Sequence, residues 1–93
     1  MNEQQFENAI WWIDRMALEA AKEYRIWANQ TEPMEQEEHF DRLMGRMKEM
    51  VETINLIART KYATAETKAK IVKTVEWLNS HMGRHQIRIN MKG

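Results

Sequence analysis

The sequence of 93 residues contains no cysteine. Disulfide bonds, thiolate metal sites and a cysteine nucleophile are therefore excluded. Because small secreted domains usually depend on disulfides, we expect a reducing compartment, most simply the cytoplasm. The first five residues are polar and lack the basic and apolar regions of a secretory signal peptide.

Glycine and proline are scarce, with three residues and one residue respectively. An all-β fold needs them at its many turns. Their scarcity, together with abundant Glu, Lys, Met, Ala and Gln, favours long helices. No apolar run approaches the roughly 20 residues of a transmembrane helix, so we expect no membrane partner. The apolar fraction of 43% is typical of a single globular domain.

The first predicted helix runs from Asn2 to Asn29. Its apolar residues are spaced alternately four and three apart, which is the seam of a helix that packs against a neighbour. This seam consists of Phe6, Ile10, Ile13, Ala17, Ala20, Tyr24 and Trp27.

Two further helices follow the break at residues 29–33. Pro33 fits the first turn of the second helix, which is predicted to continue to Tyr62. Thr64 is the predicted N-cap of the third helix, and Gly83 suits the left-handed position after its end. The inner stripes are Phe40, Leu43, Met47, Met50, Ile54 and Ile57 on the second helix, and Ile71, Val75, Leu78 and Met82 on the third.

We therefore predict an all-α fold, an antiparallel three-helix bundle in which a long helical hairpin carries a shorter third helix. Residues 1–84 form a single helical domain, and residues 85–93 form a basic, extended tail. In the tail, Ile87, Ile89 and Met91 alternate with polar residues, which is the period of a strand. Three arrangements stay open for the tail: packed on the bundle, frayed, or paired with another chain.

Candidate catalytic and metal-binding groups have ordinary explanations. The acids in residues 35–41 lie in a predicted first turn, where the helix dipole favours them. His81 and His85 have the spacing of a helical zinc pair, but Gly83 lies between them and no acid follows. The sequence has no glycine-rich phosphate loop and no nucleophile elbow. We therefore predict a protein that is not an enzyme and needs no cofactor or metal.

The net charge is zero, but the charges are unevenly distributed. Residues 1–42 hold ten acids and four bases, whereas residues 43–93 hold four acids and ten bases. Neutralisation between antiparallel helices is the favoured explanation. The C-terminal third still carries a basic patch that suits phosphates or an acidic protein face. The patch consists of Lys68, Lys70, Lys73, Arg84, Arg88 and Lys92.

The first helix carries more apolar side chains than its seam requires. Trp11 and Trp12 lie off the seam, about 100° apart around the helix. Leu18 follows Trp11 by one heptad, and Ile26 follows Trp12 by two heptads. Tryptophan is enriched at binding hot spots, and exposed apolar patches usually mark interfaces. These four residues are therefore the predicted partner-binding residues. The alternative is that the rings cover the edge of the core.

These features favour a small protein-interaction module that binds and modulates a larger protein, as an inhibitor or an adaptor. A compact, cysteine-free chain is typical of the modulators that phages and mobile elements encode, so a host nucleic-acid-processing or defence enzyme is a natural target. Two alternatives remain. The basic C-terminal third could bind nucleic acid, or the chain could be a homo-oligomeric assembly protein, for instance a homodimer joined by its tails as added strands.

Overall fold

A computed structural model describes residues 1–89, which form three α-helices joined by short connections. Helix α1 spans Glu3–Asn29, α2 spans Pro33–Ile57 and α3 spans Ala65–Ser80. The molecule is elongated, measuring 46 × 21 × 16 Å. The predicted all-α, three-helix fold is therefore confirmed. Within this part of the chain, no helix combines the length and the hydropathy needed to cross a membrane.

Local hydrogen bonds explain where the helices begin. Asn2 caps α1 in a reciprocal pair: its side-chain oxygen accepts from the Gln5 amide at 2.8 Å, and the Gln5 side chain accepts from the Asn2 amide at 2.9 Å. Pro33 opens α2, where its missing N–H has no helical partner to lose. Thr64 caps α3 by accepting from the Thr67 amide at 3.2 Å, as predicted.

Helix α2 ends at Ile57, before the predicted boundary at Tyr62. The Thr60 hydroxyl donates to the Ile57 carbonyl at 2.8 Å, and the Thr60 amide bonds the same oxygen at 3.1 Å. These contacts replace helical hydrogen bonds with a tight turn. Apolar periodicity gives no information about such hydroxyl contacts, so it placed the end of α2 too late in the chain.

The core lies along the three predicted stripes. The partly buried edge of the core includes Ile10, Tyr24 and Phe40 from those stripes. The buried side chains are Phe6, Ile13, Ala17 and Ala20 of α1, Leu43, Met47, Met50, Ile54 and Ile57 of α2, Ile71, Val75 and Leu78 of α3, and Ala58, Met82 and Ile87 outside the helices.

Helices α2 and α3 both pack against α1 and approach each other only marginally. Helix α2 runs antiparallel to α1, since His39 near its start lies 3.2 Å from Glu23 near the end of α1. Helix α3 runs parallel to α1. Thr74 bonds Asp14 at 2.8 Å, and further along the chain His81, directly after α3, lines one hollow with Arg25 of α1.

The first part of the tail closes the gap between α2 and α3. The side-chain amide of Asn79 on α3 donates to the Ile87 carbonyl at 3.0 Å and accepts from the Ile87 amide at 2.9 Å. The buried Ile87 side chain lies beside Met47 and Val51 of α2. Of the three arrangements considered for the tail, packing on the bundle describes residues 85–89. Met91 and Lys92 lie outside the described residues.

The chain reverses into the tail at Gly83, whose φ of +53° is the predicted left-handed conformation. His85 then enters an aromatic cluster at the α1–α2 connection. Its ring centroid lies 5.2 Å from that of Trp27 and 6.1 Å from that of Phe40, both edge-on. This cluster fixes the direction in which the tail leaves α3.

Replacement of Asn79 by Ala should destabilise the protein by about 1–3 kcal/mol, because both backbone groups of the buried Ile87 lose their partner. Asn55→Ala is the matched control, since Asn55 is an exposed residue of α2 and the same change in helix propensity applies. The free energy of unfolding in urea measures the difference. Equal effects of the two substitutions would show that Asn79 does not anchor the tail.

Gly45→Ala and Gly83→Ala should change the urea midpoint in opposite directions. A methyl group at Gly45 meets nothing within 4 Å, so the variant should gain about 0.5–1 kcal/mol from helix propensity. A methyl group at Gly83 would lie 3.0 Å from the Tyr24 hydroxyl, at a φ of +53°, so about 1–2 kcal/mol should be lost. A stabilised Gly83→Ala variant would contradict the turn described here.

Candidate interaction face of α1 and α3

Helix α1 exposes large apolar side chains along its outer side. Trp11 is 66% exposed and Leu18 is 53% exposed. Their separation of seven residues places them on one side of the helix, about 10 Å apart along its axis. Ile26 is also exposed, eight residues beyond Leu18. Three of the four predicted partner-binding residues therefore lie at the surface of α1.

Helix α3 places a further tryptophan beside them. Trp77 is 41% exposed, and together with Leu18 it lines two hollows between α1 and α3. The larger hollow has a volume of about 390 Å³ and also includes Ala21. The smaller has a volume of about 330 Å³ and includes Ala17. We call Trp11, Leu18, Trp77 and the two hollows the α1/α3 face.

Sequence reasoning missed Trp77, although a signal was present. Trp77 lies two residues after Val75 and one before Leu78, so it is rotated by more than 90° from the inner stripe of α3. That argument identified Trp11 and applies equally to Trp77. Its proximity to Leu18 could not be inferred, because the periodicity of each helix does not define how α1 and α3 are rotated relative to each other.

Polar contacts on both sides fix the position of Trp77. In the preceding turn, the Thr74 hydroxyl donates to the Asp14 carboxylate at 2.8 Å and joins α3 to α1. In the following turn, the Ser80 hydroxyl donates to the Trp77 carbonyl, and the His81 ring lies with its centroid 4.6 Å from the Trp77 ring. The indole is therefore exposed but held by its neighbours.

The rim of the α1/α3 face is mainly basic. Arg15 lies 3.7 Å from Glu19 and is partly neutralised by it. The other three bases make no ion pair with a carboxylate among residues 1–89. These bases are Lys22 and Arg25 beside the larger hollow and Lys73 beside the smaller one. The face therefore combines an apolar centre with positive charges on both sides.

Trp12 faces a different side of α1. It is half buried and packs against the core, and its exposed edge lines a separate hollow of about 350 Å³ with Leu56 of α2. Two acids, Glu49 and Glu52, border this hollow. The structure thus separates Trp12 from Trp11, Leu18 and Trp77. Trp12 lies beside acids, whereas Leu18 and Trp77 share their hollows with bases.

The residues of the predicted basic patch are distributed over different surfaces. Lys73 borders the α1/α3 face, whereas Arg88 lies beside α2 in a hollow with Met44 and Lys48. Lys68 and Lys73 are five residues apart, which separates them by about 140° around α3. Lys70 and Arg84 are exposed, and Lys92 lies outside the described residues. The described bases do not form one continuous stripe.

The histidines occupy separate environments. His39 pairs with Glu23, His81 lies against Trp77, and His85 belongs to the aromatic cluster. The i, i+4 pair of His81 and His85 is thus divided between two sites. In the portion of the chain that the structure describes, no group of three or more His, Asp or Glu residues is arranged to hold a metal ion.

Comparison of the chain with family models, with curated proteins and with solved structures found no match. The surface of the molecule is therefore the basis for any statement about function.

Proposed function

We propose that this chain is a small, non-enzymatic protein-interaction module that docks on a larger protein through the α1/α3 face. One observation carries the proposal. Leu18 and Trp77 come from different helices, yet they lie together and stay exposed. The same bundle buries most of the side chains in its three predicted stripes. Two adjacent apolar side chains that stay exposed next to a well-packed core are typical of an interface.

The size of the face favours a protein over a small molecule. Each hollow is near the lower limit of about 300 Å³ for small-molecule sites. Trp11 lies three residues before Asp14, where the hollows begin, and extends the apolar surface of α1 by about 5 Å beyond them. A partner could therefore place an apolar side chain in each hollow and cover Trp11 with an adjacent part of its own surface. Truncation of such tryptophan anchors typically costs about 2 kcal/mol or more of binding energy.

In its specific form, the proposal describes an inhibitor or adaptor that acts in the cytoplasm on a nucleic-acid-processing or defence enzyme of a phage or mobile-element host. The small, cysteine-free chain with an exposed apolar face supports this form. An exposed face on a rigid helical scaffold can block a functional surface of the target or connect the target to another protein.

The two alternatives receive less support from the geometry. Nucleic-acid binding requires basic side chains of the protein to lie along the path of the phosphate backbone. Lys73 and Arg88 instead border different hollows. Strand pairing between two tails could not use the edge of the tail that carries the amide and the carbonyl of Ile87, because Asn79 already occupies both groups. Neither arrangement uses Leu18 or Trp77.

Leu18→Glu should abolish partner binding without unfolding the protein, because Leu18 is exposed and glutamate is a good helix former. The matched control is Leu56→Glu, since Leu56 is 62% exposed on α2 and lies outside the α1/α3 face. Tagged versions of both variants, expressed in the native cell, would be compared with wild type by quantitative mass spectrometry of co-purified proteins.

The account expects at least about a tenfold loss of a specific partner for Leu18→Glu, equivalent to about 1.4 kcal/mol, and no loss for Leu56→Glu. Trp77→Ala should reproduce the loss. Circular dichroism would establish that each variant remains helical. If folded Leu18→Glu and Trp77→Ala retain every partner of the wild type, the proposed function is wrong.

A further inference from the structure

We infer that the occupant of the α1/α3 face is an acidic amphipathic helix of the partner protein. This inference rests on the proposed function and specifies the chemistry of its site. Three features of the face support it: the parallel course of α1 and α3, the apolar residues between them, and the basic side chains along the rim that make no ion pair within residues 1–89.

The shape of the face suits a helix. The two hollows follow α1 from Asp14 to Arg25, a length of about 17 Å or three helical turns. Small residues, Ala17 and Ala21, line the α1 side of the hollows. A helix laid along this groove would place apolar side chains at i, i+4 and i+7 into it, as in other helix-in-groove complexes.

The charges of the rim select the sign of that helix. Lys73 borders the smaller hollow, whereas Lys22 and Arg25 border the larger hollow. None of these three makes an ion pair within residues 1–89. Acidic side chains flanking the apolar stripe of the partner would meet a base at both hollows. Such complementarity accelerates association and disfavours partners of the wrong charge.

Two other occupants fit less well. A nucleic acid is charged along its whole backbone and would bring phosphates past the carboxylates of Asp14 and Glu19, which line the same hollows, whereas a helix can carry its acids only where it meets the basic side chains. A second copy of this chain joined by two-fold symmetry would present the same basic rim, so like charges would face each other. The acidic surface of a second copy, formed by Trp12, Leu56 and their acidic neighbours, is itself a hollow and lacks the projecting ridge that a groove accepts.

The experiment uses two labelled synthetic peptides of about 16 residues, long enough for roughly 24 Å of helix. Both carry Leu or Phe at the same helical stripe. One has Glu at the flanking positions, and the other has Lys at those positions. Fluorescence anisotropy with the full chain at low and high salt gives both affinities. Binding of a single-stranded oligonucleotide and light scattering of the free chain are measured as well, to test a nucleic acid and a second copy of the chain as occupants.

The acidic peptide should bind at least about tenfold more tightly than the basic peptide at low salt, and this preference should shrink at high salt because the charges are exposed. Lys22→Glu combined with Arg25→Glu should remove the preference. The control is Lys48→Glu combined with Arg88→Glu, which makes the same charge change in the hollow beside α2. That control should keep the preference for the acidic peptide.

Four results would overturn the inference: equal affinity for both peptides, no binding of either, binding of the oligonucleotide alone, or a dimer of the free chain that Lys22→Glu with Arg25→Glu dissociates. The partner experiment separates this failure from failure of the proposed function. If Leu18→Glu still abolishes partner binding, the interaction face stands and only the acidic helix is wrong. If Leu18→Glu keeps all partners, both are wrong.

Discussion

The packing of both α2 and α3 on a single helix, α1, is the constraint from which the other features of the structure follow. Because α2 and α3 approach each other only marginally, the core between them would be open without another element. Ile87 fills this gap, and the side-chain amide of Asn79 holds its backbone at 2.9 and 3.0 Å. Residues 85–89 of the tail therefore belong to the fold of the helical domain.

The same constraint determines which surface stays uncovered. Helix α2 covers one flank of α1, where Trp12 becomes half buried beside Leu56. Helix α3 covers the other flank and, because it runs parallel to α1, brings Trp77 next to Leu18. The outer side of α1 faces no helix among the described residues. The apolar surface thus stays exposed because α2 and α3 pack on the two flanks of α1 and neither helix covers its outer side.

The sequence predicts those features that local chemistry or helical periodicity controls. The stripes on α1, α2 and α3 and the cap at Thr64 are such features, and the structure confirms them. Features that depend on three-dimensional arrangement were beyond prediction. Asn79 has no sequence signal for its contact with Ile87, and Trp12 could not be distinguished from Trp11 without the position of α2. The separation of Lys73 from Arg88 likewise depends on where the tail returns.

The central claim is that the free protein leaves Trp11 and Trp77 uncovered while Trp12 and Trp27 pack against their neighbours. Nuclear magnetic resonance of the four assigned indole rings, with a soluble paramagnetic agent, tests this claim most directly. The account predicts strong attenuation of the Trp11 and Trp77 ring signals and weaker attenuation for Trp12 and Trp27. Protection of Trp11 and Trp77 equal to that of the other two rings would contradict it, because the α1/α3 face would then already be covered.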